Sequence, residues 1–87
     1  MFIIEFSEEL TRKLEKIQKK NKVMFESITR KIKEIKENPE HYKPLRHDLK
    51  GYRRVHIAKS FVLIFKVDHA SNKIIFVDFD HHDNIYR

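Results

Sequence analysis

The chain of 87 residues contains no cysteine, a single glycine and two prolines. The absence of cysteine excludes a disulfide scaffold, a thiolate zinc site and a thiol nucleophile. One glycine is too few for a glycine-rich loop that cradles a nucleotide. The longest mostly apolar run, Phe61–Val67, is interrupted by Lys66 and is far shorter than the roughly 18–20 residues of a membrane span. No secretory signal pattern opens the chain, so we expect a cytoplasmic protein with no membrane partner.

Positive charge is abundant in this sequence. Nineteen Lys and Arg residues against thirteen Asp and Glu give a formal net charge of +6, and six His residues add to it when protonated. Such a balance on a small surface favours polyanionic partners, nucleic acid first. Hydrophobic residues make up 40% of the chain, enough for one core but not for two. Residues 1–87 are therefore predicted to form a single domain.

The N-terminal half shows a strand pattern followed by two helical patterns. Phe2, Ile4 and Phe6 alternate with other residues, which indicates a strand. Ser7 follows at the position of a helix N-cap, with two glutamates in the first turn. A first apolar stripe, a break near residues 19–22 and a second stripe that ends before Pro39 predict a helical hairpin. The stripes are formed by Leu10, Leu14 and Ile17, then by Phe25, Ile28, Ile32 and Ile35.

The C-terminal half predicts three strands joined by short turns. Arg53–Ile57 alternates, whereas Phe61–Phe65 is apolar on both faces, as in a central strand covered on both sides. The composition of Asp68–Asn72 is typical of a hairpin loop, and the pattern of Lys73–Phe79 predicts a last strand. The residues after Phe79 are predicted to form a polar tail that contains one apolar residue, Ile85. The predicted fold is α+β: an N-terminal strand, a helical hairpin, then three antiparallel strands forming a sheet with the helices packed on one face.

Two groups of polar residues are candidates for chemistry. Strand alternation puts Arg54 and His56 on one side, roughly 6–7 Å apart, near the spacing of successive phosphates; a solvated sheet face is the alternative. The second group, residues 80–83, contains His81 and His82, which point to opposite faces of a strand and cannot chelate one ion together. Asp80 and His82 could share an ion, with Asp78 on the same face, but no further ligand spacing supports a closed metal site. An acid–base cluster and a plain polar tail are the other two interpretations. The segment 41–47 either contacts RNA or closes the core edge through Tyr42.

Three segments in order resemble the RelE/ParE superfamily of toxins from prokaryotic type II toxin–antitoxin pairs, in particular its RelE-like mRNA interferases. They are ENPEHYKPLRHDLKGYRRVHI, SFVLIFKVD and IIFVDFDHHDNIYR. The resemblance implies a fold akin to microbial ribonucleases and cleavage of mRNA on the ribosome without a metal or other cofactor. It also implies neutralisation by a RelB-like antitoxin protein.

The superfamily's functional positions carry over residue by residue. Leu49-Lys50-Gly51 matches the turn before the basic strand, and Arg54 and His56 fall on that strand's two basic positions. His82 falls on the second residue of the usual His-Arg pair. Val62 stands at a position where the superfamily frequently has an Arg. Lys59 or Arg53 could supply the positive charge that is missing there. The resemblance thus implies two sets of site residues. The catalytic set is Arg54, His56, His82 and Tyr86, and the RNA-binding set is Lys50, Arg53, Lys59 and His81.

The function predicted from this resemblance is a toxin that inhibits translation as a ribosome-dependent endoribonuclease. The 2′-OH of the mRNA would attack the neighbouring phosphorus and leave a 2′,3′-cyclic phosphate. Two alternatives stay open: a ParE-like inhibitor of DNA gyrase, and a basic nucleic-acid-binding module without catalysis.

Overall fold

The computed structural model describes residues 2–42 and 51–85. Four strands and two long helices follow the predicted order, and two short helical turns lie at Pro39–His41 and at His82–Ile85. The elements are β1 (Ile3–Phe6), α1 (Glu8–Lys20), α2 (Lys22–Glu37), β2 (Tyr52–Ile57), β3 (Phe61–Asp68), β4 (Lys73–His81) and α3 (His82–Ile85). The predicted α+β class is confirmed.

The four strands form one sheet in the order β1-β4-β3-β2. The last three strands pair antiparallel, as predicted, whereas β1 pairs parallel with β4. A parallel pair needs a long crossover connection between its strands. The helical hairpin and the two strands that follow it supply this connection.

Local sequence signals fix the ends of the helices. Ser7 is the N-cap of α1: its hydroxyl accepts a hydrogen bond from the Leu10 amide at 3.0 Å and donates one to the Val77 carbonyl. Asn21 is the single residue between α1 and α2, and its side chain accepts from the Met24 amide at 3.1 Å. Capping by Ser and Asn satisfies amides that have no partner within the helix. The predicted turn near residues 19–22 is therefore confirmed, with Asn21 as its centre.

The main core lies between the helical hairpin and one face of the sheet, the helix-covered face. Leu63, Phe65, Ile74 and Phe76 of this face are fully buried. From the predicted apolar stripes of the helices, Leu10, Ile28 and Ile35 are fully buried and Leu14, Ile17 and Ile32 pack against this core. Met24 of α2, which was not predicted as a member of the stripe, also packs there. Burial of these large side chains supplies most of the hydrophobic stabilisation of the fold.

The opposite side of the sheet, the open face, carries a second and smaller apolar cluster. Val62 and Ile64 form its buried centre, and Tyr52, Val77 and Ile85 pack around them. Strand β3 is therefore covered on both sides, as its sequence predicts. The last strand is longer than the predicted Lys73–Phe79, because β4 continues to His81, and the predicted polar tail forms the short helix α3. Ile85 explains the difference, since its side chain packs on the open-face cluster and holds the turn against the sheet.

None of the helices in the described ranges is long and apolar enough to cross a lipid bilayer.

Candidate active site

Arg54 and His56 lie on the open face of the edge strand β2. In the register of β2 with β3, Arg54 is opposite Ile64 and His56 is opposite Val62. Residues directly opposite each other in a sheet project from the same face. The two side chains therefore flank the buried apolar cluster of the open face, as the alternation of the sequence predicts.

The structure brings His82 to His56, although they are 26 residues apart in the sequence. Their ring centroids are 5.8 Å apart and the rings are nearly parallel, with an interplanar angle of 26°. His82 begins α3, and its backbone N–H donates a hydrogen bond to the Ser60 carbonyl at 2.6 Å. The turn between β2 and β3 thus holds the backbone of His82 beside the end of the strand that carries His56.

A shallow groove of about 360 Å³ opens next to this pair at the edge of β2. Its walls include Arg54 and His56 together with His41 and Tyr42. Tyr42 also packs edge-on against Phe65 at 5.8 Å between ring centroids, so it closes the edge of the core while bordering the groove. Arg54 and His56 therefore border this groove as well as the open face of the sheet.

Arg53 occupies a different environment from Arg54. It is opposite Phe65 in the register and therefore turns toward the helix-covered side. Its guanidinium donates to the Tyr42 carbonyl at 2.8 Å and forms an ion pair with Glu40 at 2.7 Å. These bonds tie the turn at residues 39–41 to β2. Arg53 is thus separated from the His56–His82 pair by the sheet itself.

Two other residues of the predicted RNA-binding set are described. Lys59 is exposed in the turn between β2 and β3, one residue before the Ser60 carbonyl that anchors His82. His81 lies opposite Phe61 and packs edge-on against its ring at 5.5 Å, on the side opposite to His82. The prediction that the adjacent histidines diverge is confirmed. Lys50 and Tyr86 lie outside the described residues.

A charged network joins the end of β4 to helix α1. The Lys13 ammonium lies 2.7 Å from Asp78 and 3.3 Å from Asp80, and it also donates to the Phe79 carbonyl at 3.1 Å. Burial acts to lower the pKa of Lys13, but the hydrogen bonds and charges of the two carboxylates outweigh it, so this pKa is raised. A hydrogen bond from Asn84 lowers the pKa of Asp80, and the Lys13 charge acts in the same direction.

This network also bears on the metal interpretation of residues 78–82. The carboxylates of Asp78 and Asp80 are paired with an ammonium group, which occupies the oxygens that a cation would need. Within residues 2–42 and 51–85, the structure has no group of three or more His, Asp or Glu side chains that could hold a metal ion.

The sequence did not single out Lys13 or the groove position of His41. Lys13 stands outside the apolar stripe of the first helix, a position that predicts an exposed basic residue. Its partners are 65 and 67 residues away along the chain. For His41 the signal was ambiguous, because the segment 41–47 was compatible both with RNA contact and with closing the core edge.

The arrangement of sheet and helices is shared with solved bacterial toxin structures. The YoeB/ParE toxin from Agrobacterium tumefaciens has a TM-score of 0.83 at 20% identity, with 94% of this chain and 99% of that chain covered. The YoeB–YefM complex from Staphylococcus aureus gives 0.80 at 25% identity, over 94% and 98%. YafQ from E. coli gives 0.78 at 22% identity over the whole of both chains. The fold is therefore that of the YoeB and YafQ class of toxins.

Sequence comparison places the chain more narrowly. The family model of the ParE toxin of type II toxin–antitoxin systems, parDE, matches residues 4–86. A candidate toxin, RelE4, of Methanocaldococcus jannaschii is 52% identical over 87 residues, which cover 100% of this chain and 93% of that protein. A protein of Methanosarcina mazei is 45% identical over 86 residues, or 99% of this chain and 100% of that protein. This protein belongs to the ParE toxin family within the RelE/ParE superfamily, and the resemblance read from the sequence is confirmed.

Proposed function

We propose that this toxin is a cytoplasmic, ribosome-dependent endoribonuclease that cleaves mRNA and thereby inhibits translation. The observation that carries the proposal is the pairing of His56 and His82, whose ring centroids are 5.8 Å apart, beside Arg54 on the same face. Two imidazoles and a guanidinium at one surface supply a proton acceptor, a proton donor and a fixed positive charge, which are the groups that RNA cleavage requires.

The reaction needs no cofactor because RNA carries its own nucleophile. One imidazole removes the proton of a 2′-OH, and the 2′-oxygen attacks the adjacent phosphorus. The bond from phosphorus to the 5′-oxygen then breaks, and the other imidazole, in its protonated form, gives a proton to that oxygen. The products are a 2′,3′-cyclic phosphate and a 5′-OH. Since both rings lie side by side, either His56 or His82 can be the base.

The remaining roles go to the cations around the pair. Arg54 stabilises the extra negative charge of the phosphorane, because a guanidinium donates two parallel hydrogen bonds to phosphate oxygens. Lys59, exposed near the anchor of His82, binds an adjacent phosphate. We assign this role to Lys59 rather than Arg53, whose guanidinium is engaged with Glu40 and Tyr42. From the family motif, Tyr86 orients the 2′-OH or stacks on a base, and Lys50 and His81 contact RNA.

The partners follow from charge and from the relatives. A net charge of +6 favours docking on ribosomal RNA, and the lysines at the hairpin tip, Lys19, Lys20 and Lys22, stand without an acidic neighbour in residues 16–25. Several structural neighbours were solved as toxin–antitoxin complexes, among them YoeB–YefM and DinJ–YafQ. We therefore propose that this toxin also binds a cognate, RelB-like antitoxin protein.

The test is to induce the protein in a bacterial host and to map new 5′ ends on a translated mRNA and on a non-translated copy. We expect cuts in the translated copy alone, and their loss in the Arg54→Ala/His82→Ala double variant. His69→Ala is the matched control, because His69 follows the far end of β3, roughly 20 Å from the pair. Cuts that persist in the double variant would contradict the assignment of the site.

A second candidate function, inhibition of DNA gyrase, is favoured by the match to the ParE family model. In that case Arg54 and His56 would be recognition residues without a chemical role. Growth arrest with intact mRNA, together with loss of plasmid supercoiling in a gyrase reaction containing the purified toxin, would support this function over RNA cleavage. Weak, salt-dependent RNA binding without either effect would instead indicate a non-catalytic binding module.

A further inference from the structure

Helix α3 carries His82 yet is a single turn of four residues, His82–Ile85. A helical turn of this length does not hold its shape alone, because nucleation fixes several residues for one hydrogen bond. Its position must therefore come from contacts with the rest of the protein. Such contacts include the packing of Ile85, the hydrogen bond from the His82 amide to the Ser60 carbonyl, the bond from the Asp83 amide to the His81 ring at 3.2 Å, and the carboxylate of Asp80.

Asp80 binds both the strand end and the helical turn. Its Oδ1 accepts hydrogen bonds from the backbone N–H of His81 at 2.7 Å and from the Asn84 side chain at 2.9 Å. These donors stand on either side of His82 in the sequence. A carboxylate bonded to both restricts the backbone that carries the imidazole, in the way an acidic side chain stabilises the start of a helix.

Lys13 fixes Asp80 in turn. Its ammonium, donated from α1, contacts the other oxygen of Asp80 and also Asp78 and the Phe79 carbonyl. Three successive residues of β4 are thus bound to one side chain of the helix layer. The lowered pKa of Asp80, caused first by Asn84 and further by Lys13, is consistent with an ionised carboxylate at neutral pH.

We propose that Lys13 and Asp80 are positioning residues that hold the His82 imidazole beside His56 by fixing the α3 turn. The structural part of the proposal stands on these contacts alone, and its catalytic consequence rests on the proposed function. Neither residue would contact RNA. Their effect on cleavage would pass entirely through the placement of His82.

The test compares three single variants of the full chain. Lys13→Met removes the ammonium, Lys13→Arg keeps a cation, and Glu9→Gln is the matched control. Glu9 is a third carboxylate near Lys13, at 4.0 Å, but its side chain is 63% exposed and belongs to α1 itself. In single-turnover cleavage of ribosome-bound mRNA, we expect Lys13→Met to lower the maximal rate about 10- to 100-fold without changing ribosome affinity. Lys13→Arg should stay within about threefold of the wild type, as should Glu9→Gln.

A second measurement does not depend on activity. In NMR spectra of the free protein, nuclear Overhauser contacts between the His56 and His82 rings should weaken in Lys13→Met and persist in Glu9→Gln. If the wild type does not cleave RNA, the proposed function fails, and the ring contacts still decide the positioning role. Unchanged ring contacts and an unchanged rate in Lys13→Met would overturn the proposal. Should Lys13→Met fail to fold, Asn84→Ala removes the bond at the α3 end, and the same weakening of ring contacts is expected.

Discussion

The two faces of the sheet differ in what their side chains do. The helix-covered face is built from large apolar side chains such as Phe65 and Phe76, which have no exposed surface. The open face has a small buried centre of Val62 and Ile64, and around it stand Arg54, His56 and His82. One face therefore supplies most of the stability, while the other displays charged and titratable groups. Because stability and polar display are separated in this way, the open face can carry charged and titratable groups without weakening the main core.

The largest expected effect is a difference in stability between variants on the two faces of the sheet. Phe65→Ala removes a fully buried ring that packs on Tyr42 and Phe76, and it should lower the free energy of unfolding by about 3–5 kcal/mol. Val62→Ala, at the buried centre of the open face, should lower it by only about 1–2 kcal/mol. Urea denaturation of both variants measures the difference. Equal losses would mean that the open face contributes as much core as the helix-covered face.

The converse prediction concerns activity. His56→Ala and His82→Ala should each lower the rate of mRNA cleavage about 100-fold, because in the proposed mechanism each imidazole transfers a proton. The same variants should change the free energy of unfolding by about 0.5 kcal/mol or less, since His56 is exposed and nearly half of the His82 side chain is exposed. Single-turnover kinetics and urea denaturation on the same preparations check both parts. A variant that loses stability in proportion to activity would contradict the separation of tasks.

Adjacent arginines on β2 sharpen the comparison further, because they turn to opposite sides of the sheet. Arg53→Ala should lower the free energy of unfolding by about 1–2 kcal/mol, since its bonds to Glu40 and the Tyr42 carbonyl are lost. It should change cleavage by no more than about threefold. Arg54→Ala should instead lower cleavage at least tenfold, about 1.4 kcal/mol of transition-state stabilisation. A large loss of cleavage in Arg53→Ala would return a phosphate-binding role to this residue.

The smallest expected effect is the pH dependence of the stability that Asp80 contributes where the end of β4 meets α1. The pKa of Asp80 in the folded protein lies below its ordinary value of 3.8, so the folded state holds this proton less tightly than the unfolded state. Its contribution to stability is present above that value and is lost as the pH falls through the lower folded pKa. The stability difference between wild type and Asp80→Asn should therefore be about 1 kcal/mol or less at pH 7 and should shrink below pH 4.

Acid titration of both proteins by thermal unfolding checks this prediction. The pKa of Asp68 is also lowered, by hydrogen bonds from Ser71, but Asp68 is present in both proteins, so its contribution cancels in the difference. A difference that grows toward acid pH would show that the Lys13–Asp80 pair does not stabilise the folded state.

Much of this division between faces could be predicted from the sequence. The period of two in β2 placed Arg54 and His56 on one side, and the period of the helices identified Leu10, Ile28 and Ile35 as core. The continuous apolar run in β3 predicted burial on both faces. These features depend on local geometry, which repeats along the chain and leaves a pattern in it.

The rest depends on contacts between distant segments. Alternation identified β1 as a strand but could not indicate that it pairs parallel with β4. A bulge next to Ile64 and Phe65 shifts the register of β4, so that Val77 has no direct partner in β3. The bond between Lys13 and Asp80 joins residues 67 apart in the chain. No local pattern encodes such a pairing, and the short α3 helix follows from the docking of Ile85 rather than from helix propensity.

The most direct test of the central claim is chemical analysis of the RNA ends made by the purified toxin. A defined mRNA is incubated with the toxin in the presence and absence of programmed ribosomes, and the new 3′ and 5′ ends are identified. The account predicts a 2′,3′-cyclic phosphate and a 5′-OH, formed with ribosomes and lost in the His56→Ala/His82→Ala variant. A 5′-phosphate and a 3′-OH, or no cleavage at all by a toxin that still arrests growth, would contradict it.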